Sequence, residues 1–211
     1  MDDLAAMRRS YALSSLDEAD LAADPHTQFR RWFDEARRAQ VDEPNAMVLA
    51  TVDADGVPSA RTVLLKELDT GFVFFTNHDS RKGQAIAAHP HAALVFLWKP
   101  LERQVCVAGR VEQVSRAESE AYFAQRPRES QLGAWASHQS HPVADRATLE
   151  AHYEAVRARH DGATVPCPPH WGGFRVLPDR VEFWQGRVGR LHDRLHYRRD
   201  ADRWVVERLD P

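Results

Sequence analysis

The chain has 211 residues, 43% hydrophobic and 28% charged, with a formal net charge of −3. That composition suits a globular protein with a sizeable core, and its mild acidity argues against nucleic acid as the main partner. Cys106 and Cys167 match no CxxC or metal spacing, no apolar run reaches membrane-spanning length and the start MDDLAAMRRSY lacks an apolar signal core. A cytoplasmic setting is therefore expected.

Residues 1–24 have weak periodicity and are expected to form a mobile arm carrying Arg8 and Tyr11. Asp24-Pro25 reads as an N-cap followed by a first-turn proline. Phe29, Trp32, Phe33 and Ala36 then fall on one helical stripe that fades near Gln40. Ala46–Val52, Val57–Leu68 and Phe72–Thr76 read as strands joined by turns at Asp53–Gly56 and Asp69–Gly71. Ser80 reads as the cap of a helix over Arg81–Ala88. Arg81 and Lys82 in its first turn oppose the helix dipole. Either an anion at the free N–H groups offsets them, which the preceding polar loop favours, or they are two solvated cations.

His91–Trp98 and Arg103–Val114 are further strands. Ser115-Arg-Ala-Glu118 is a capping box opening a helix that Pro127 stops. Tyr122 and Arg126, four apart, share a face of it. The polar run Ser130–Val143 is expected to be a covering loop. Asp145–His160 is an amphipathic helix closed by Gly162, and Val165–Gly173 is an irregular connection. Phe174–Leu177, Val181–Trp184, Leu195–Arg199 and Trp204–Arg208 complete the strands. Short antiparallel strands with interspersed helices, and no GxGxxG, favour a closed or nearly closed β-barrel flanked by helices, an α+β fold, over a dinucleotide fold.

Eleven histidines offer no convincing ligand set, and no metal is expected. No GxSxG is present, so a hydrolase has little support. The densest chemistry lies in Trp184–Arg194, WQGRVGRLHDR, with three arginines, a histidine and a tryptophan. Arginine forks grip phosphate or carboxylate, and an indole gives a flat wall. A planar anionic ligand and a charged hairpin both fit. Arg190 and His192, two apart, would point the same way in an extended segment. Arg61 and Lys66, an odd number apart, would point to opposite faces unless the strand bends.

Taken together, RTVLLK (Arg61–Lys66), FFTNHDSRK (Phe74–Lys82), LERQVCVAGR (Leu101–Arg110), YFAQRPRESQLGAWAS (Tyr122–Ser137), WGGFRV (Trp171–Val176) and EFWQGRVGRLHDR (Glu182–Arg194) resemble pyridoxine/pyridoxamine 5′-phosphate oxidases over nearly the whole chain. The resemblance implies a split β-barrel that binds flavin mononucleotide (FMN), and a homodimer with the flavin at its interface. Residues 1–24 would be an arm and 25–211 one domain, with a dimerisation and substrate region over about 165–211. The implied reaction oxidises pyridoxamine or pyridoxine 5′-phosphate to pyridoxal 5′-phosphate, with hydride passing from C4′ to the flavin. Dioxygen is the acceptor, hydrogen peroxide the product, and ammonia is released from the amine. No nucleic acid or membrane partner is implied.

By the same resemblance, FMN would be held by Arg61, Thr62, Val63, Leu64, Leu65, Lys66, Phe75, Thr76, Ser80, Arg81, Lys82, Gln104, Gln139, Ser140, Trp184 and Arg194. The substrate would be held by Lys66, Tyr122, Arg126 and Ser130 at its phosphate, and by Arg190 and His192, the catalytic pair, at its ring. Arg8 and Tyr11 would close over it. Arg187 is left as a solvated charge. Phe75 replaces a tyrosine common in relatives, a change worth at most one hydrogen bond, about 0.5–1.5 kcal/mol. The competing readings are a split-barrel flavoprotein with another substrate, a non-catalytic flavin or pyridoxal phosphate carrier, and a nucleic-acid-binding barrel.

Overall fold

The computed structural model describes residues 6, 7 and 9–211, so Arg8 lies outside the described residues. Among the described residues nine strands form one sheet: β1 (Ala46–Val52), β2 (Pro58–Leu64), β3 (Glu67–Leu68), β4 (Phe72–Asn77), β5 (His91–Trp98), β6 (Arg103–Gln113), β7 (Trp171–Gln185), β8 (Asp193–Asp200) and β9 (Arg203–Arg208). The order is β2-β1-β5-β6-β7-β4-β3, with β8 pairing β7 and β9. The described residues also include five α-helices: α1 (Pro25–Arg38), α2 (Arg81–Ala88), α3 (Arg116–Gln125), α4 (Arg128–Ala136) and α5 (Arg146–Arg159). The contacts divide the chain into two compact units: Met1–Leu49, Ala93–Gly109 and Pro178–Pro211 form the first, and Ala50–Ala92 with Arg110–Leu177 the second.

In the first unit, α1 starts where its cap requires, with Asp24 Oδ1 accepting from the Thr27 amide at 2.9 Å. Its stripe buries Phe29, Trp32 and Ala36. Phe29 meets Phe96 at 4.8 Å between ring centres, and Trp32 meets Phe183 edge-on at 5.2 Å. Burying such a ring is worth roughly 1.5–3 kcal/mol. Tyr197, fully buried, donates its hydroxyl to Ala22 O at 2.7 Å, which satisfies its polar end and ties down the chain before α1.

In the second unit, β4 lies antiparallel to the first half of β7, Phe72 opposite Val176 through Asn77 opposite Trp171. Phe123, Leu132, Ala136, Val156, Val165 and Trp171 form the core under α3, α4 and α5. Ser115 and Glu118 complete the expected capping box. Gly173 is pressed so close to Phe75 that a Cβ would stand 2.8 Å from that ring, so only glycine fits.

Three expectations change. The run 130–143 is not all loop, because α4 occupies Arg128–Ala136 and buries Leu132 and Ala136, four apart. Its cap is Pro127, which offers no side-chain acceptor, so no capping signal marks its start. The two strands expected at 174–177 and 181–184 are one strand, β7. Pro178 falls after the ladder with β4, which ends at Val176, and before the ladder with β8, which begins at Arg180. The strand expected over 57–68 is broken, with β2 ending at Leu64 and β3 starting at Glu67.

Candidate active site

The second unit holds a cavity of about 600 Å³ lined by Leu64, Lys66, Phe75, Thr76, Tyr122, Arg126, Ser130, Gln139 and Trp171, among others. The break between β2 and β3 resolves the parity conflict between Arg61 and Lys66. Lys66 lines the cavity from the break, while Arg61 on β2 donates to the Thr51 and Ser59 hydroxyls, each at 2.7 Å. The three rings of Phe75, Tyr122 and Trp171 are nearly parallel. Phe75 lies 4.1 Å from Tyr122 and 5.4 Å from Trp171, at interplanar angles of 16° and 11°. Phe75 therefore works as a stacking surface that fixes the Tyr122 ring. Arg126 lies one residue past α3, outside the helix, which corrects the shared-face expectation. Its guanidinium sits 4.7 Å over the Trp171 ring, and its Nη1 is buried with no hydrogen-bond partner among the described residues. Burial lowers its pKa. A buried donor left unpaired costs about 1–3 kcal/mol or more, so an anion placed there would be held strongly.

A second cation, Lys82, contacts two residues that line the cavity, Thr76 and Gln139. Ser80 caps α2, and Lys82 in its first turn is 8% exposed. Its ammonium donates to Gln139 Oε1 at 2.7 Å, Thr76 Oγ1 at 3.2 Å and Ser80 Oγ at 3.3 Å, all neutral. Burial, and then the nearby charge of Arg61, pull its pKa down to about 8. Its helix neighbour Arg81 behaves differently, forming an exposed ion pair with Asp53 at 2.5 Å. The two first-turn cations thus have separate fates, one turned inward and one neutralised by a carboxylate. Ser140, next to Gln139, adopts a left-handed φ of 71°.

In the first unit, β7 ends in the loop Gly186–His192. The segment is not extended, because Val188–Arg190 is a 3-10 turn with Gly189 and Arg190 both at positive φ. This corrects the shared direction expected for Arg190 and His192. Trp184 and His192 rings are 4.6 Å apart, and Tyr11 meets both edge-on, at 5.8 Å from Trp184 and 5.9 Å from His192. The Arg187 amide donates to His192 Nδ1 at 3.0 Å. A neutral His192 therefore carries its proton on Nε2 and offers a donor there. Its pKa is lowered by burial and then by Arg190. Arg187 is not a simple solvated charge, since it also pairs with Asp193 at 3.2 Å. Arg194 is gripped by Glu182 through two bonds of 2.8 and 2.9 Å. Gln104 donates to Cys106 Sγ at 3.3 Å. Burial pushes the Cys106 thiol up to about 11, so it is not a thiolate nucleophile at neutral pH.

The residues that sequence reasoning missed are Trp171, the platform under Arg126, and the two carboxylates Glu102 and Asp193. Trp171 was visible in the WGGFRV motif, but its partners Phe75 and Arg126 are distant in the chain. No local pattern marked Glu102.

Comparison with known proteins gives consistent matches. The profile described as pyridoxamine 5′-phosphate oxidase matches residues 33–160, and that described as the pyridoxine 5′-phosphate oxidase C-terminal dimerisation region matches residues 171–211. The chain is 61% identical, over the full length of both proteins, to the pyridoxine/pyridoxamine 5′-phosphate oxidase of Ralstonia pickettii. Among solved structures it is similar to PhzG from Burkholderia lata in complex with tetrahydrophenazine-1-carboxylic acid. That match has a TM-score of 0.89 and 32% identity, over 95% of this chain and 100% of that one. A pyridoxamine 5′-phosphate oxidase-related, FMN-binding protein from Nostoc punctiforme shares the fold, with a TM-score of 0.72 and 17% identity, over 90% of this chain and 100% of that one. The fold is the antiparallel split barrel of these flavoproteins.

Proposed function

The chain belongs to the pyridoxamine 5′-phosphate oxidase family, whose cofactor is FMN, and from that premise we propose that it oxidises pyridoxamine and pyridoxine 5′-phosphates to pyridoxal 5′-phosphate. Dioxygen is the acceptor, hydrogen peroxide is formed, and the amine also yields ammonia. The observation that carries this reading is a pair of cations in the second unit, Lys82 buried among neutral acceptors and half-buried Arg126 with a buried Nη1 that has no partner among the described residues. Two such sites match two phosphates, one on the cofactor and one on the substrate. A phenazine carboxylate like the ligand of PhzG brings no second phosphate.

The donor set fits FMN. Lys82 and Arg61, with Thr76, Ser80, Gln139 and Ser140, are proposed to hold its phosphate and polar edge. The Thr62–Leu65 backbone and Phe75 of the same unit complete the set, and Arg81 stands outside it in its pair with Asp53. When bound, FMN accepts two electrons as hydride and passes them to dioxygen. The chain's own residues bind and orient. Lys66, Tyr122, Arg126 and Ser130 take the substrate phosphate, with Tyr122 fixed by the Phe75 stack. Arg190 offers positive charge to the ring. His192 donates from Nε2, because its Nδ1 is occupied by the Arg187 amide, so the neutral ring acts as a positioning donor and not as a base.

A homodimer with the cofactor at its interface, a cytoplasmic setting and a role in B6 vitamer salvage belong to the same proposal. The matched C-terminal dimerisation region supports the dimer. Among the described residues no helix is long and apolar enough to cross a membrane. The test is an oxygen-consumption assay of the FMN-loaded protein with pyridoxamine 5′-phosphate and, separately, a reduced phenazine carboxylate. Turnover of the phosphate substrate with stoichiometric pyridoxal 5′-phosphate is expected. Turnover of the phenazine alone would overturn the reading.

A further inference from the structure

We propose that Glu102 is a positioning residue, whose carboxylate seats the N-terminal arm so that Tyr11 packs against His192 and Trp184. The inference rests on the reading that His192 serves the substrate. Glu102 follows the 3-10 turn Lys99–Leu101 at a left-handed φ of 53° and is only 5% exposed. A turn alone would favour glycine or asparagine there and would leave the side chain in water. Instead Oε2 accepts from two successive arm amides, Ala12 at 2.9 Å and Leu13 at 3.0 Å. The Glu102 carbonyl accepts from the Gly186 amide at 2.8 Å and from Gln185 Nε2 at 3.3 Å. One residue therefore binds the arm on one side and the start of the His192 loop on the other.

Tyr11 rests directly on that loop. A Cβ on Gly186 would come within 2.8 Å of Tyr11 Cβ and Cγ. A second carboxylate repeats the arrangement further along, where Asp193 Oδ2 accepts from the Leu16 amide at 3.0 Å. Asp193 Oδ1 also accepts from Arg208 at 2.9 Å, and Arg208 holds Glu18. The tethers bracket residues 12–16 and fix the chain immediately after Tyr11. The two arm amides converge on one oxygen of Glu102. Glutamine can supply the same acceptor and alanine cannot.

The test uses the FMN-loaded protein and its Glu102→Ala, Glu102→Gln, Gly186→Ala, Tyr11→Ala and Tyr11→Ala/Glu102→Ala variants. Two readouts are combined: hydrogen exchange of the peptide carrying the Ala12 and Leu13 amides, and kcat and KM for pyridoxamine 5′-phosphate. Glu102→Ala is expected to speed that exchange about tenfold or more and to raise KM about tenfold, the equivalent of one hydrogen bond, at unchanged flavin content. Glutamine should restore both. Gly186→Ala, whose Cβ would press on Tyr11 at 2.8 Å and on Glu102 Cβ at 3.1 Å, should raise KM by wedging Tyr11 away, and Glu102→Ala should add nothing in the Tyr11→Ala background. Unchanged exchange, additive effects in the double variant, or a Gly186→Ala protein with wild-type KM would overturn the proposal. Absence of turnover in the wild type would defeat the functional reading instead, and the exchange measurement would still decide whether Glu102 holds the arm.

Discussion

The second unit pairs some of its arginines with carboxylates, Arg81 with Asp53 and Arg175 with Asp69, but two of its cations are held differently from those of the first unit. In the second, Lys82 is buried against hydroxyls and an amide, Arg126 is half-buried over aromatic faces, and one buried guanidinium nitrogen has no hydrogen-bond partner among the described residues. In the first, Arg187 and Arg208 each meet a carboxylate, from Asp193 and Glu18 respectively. A cation already paired gains little from a second anion, while a buried, unneutralised one gains much. The difference separates charge kept for a ligand from charge used to hold a loop and an arm in place.

Removing an unneutralised cation should do the most damage. Arg126→Ala is expected to lower kcat/KM for pyridoxamine 5′-phosphate about 100-fold or more, as for a lost buried charge-assisted pair, with flavin content preserved in the visible spectrum. A loss below about threefold would remove Arg126 from the clamp. Lys82→Met should weaken FMN binding about 100-fold, read by fluorescence titration of the apoprotein. Substituting its helix neighbour should show the contrast directly. Arg81→Ala removes an exposed, solvent-screened pair and should change FMN affinity less than about threefold. Equal effects at the two positions would abolish the distinction between them.

The pH dependence of FMN binding sharpens the same point. Lys82 has a depressed pKa of about 8 in the free protein, and a bound phosphate raises it. Below about 8 the ammonium is already charged and affinity is independent of its titration. Above about 8 binding must take up a proton, so Kd should rise about tenfold per pH unit until the bound-state pKa is reached. A flat profile to pH 9.5 would place the phosphate elsewhere. The smallest effect belongs to the paired set. Arg208→Ala, which opens partly exposed bridges to Glu18 and Asp17 as well as the bond to Asp193, should lower Tm by only about 1–3 °C.

Much of this was legible in the sequence where the signal was local. Asp24, Ser80, Ser115 and Asp145 each mark a helix start, because a cap acts within three residues. Helix α4 was illegible because Pro127 caps it with no acceptor and polar side chains mask its Leu132/Ala136 contact. Strand β7 looked like two because a proline normally ends a ladder, and the change of partner around Pro178 is a tertiary fact. Tyr122 and Arg126 were readable as a pair, but the Trp171 ring beneath them came from 45 residues beyond Arg126 in the chain. Glu102 was invisible for the same reason, since its arm partners lie 89 and 90 residues away.

Gln139 carries a consequence of its own. Its Oε1 accepts from Lys82 and also from the Thr76 hydroxyl at 2.9 Å. An ammonium can only donate, so the orientation of the amide is dictated, and its NH₂ group must face away from Lys82. The side chain thus works as a dipolar relay, polarised at one end by a buried positive charge and presenting hydrogens at the other. Exchanging it for glutamate would turn that relay into a counter-ion. The lysine would then be neutralised from within at almost constant volume, and the protein would have silenced its own anion site without losing a single cation.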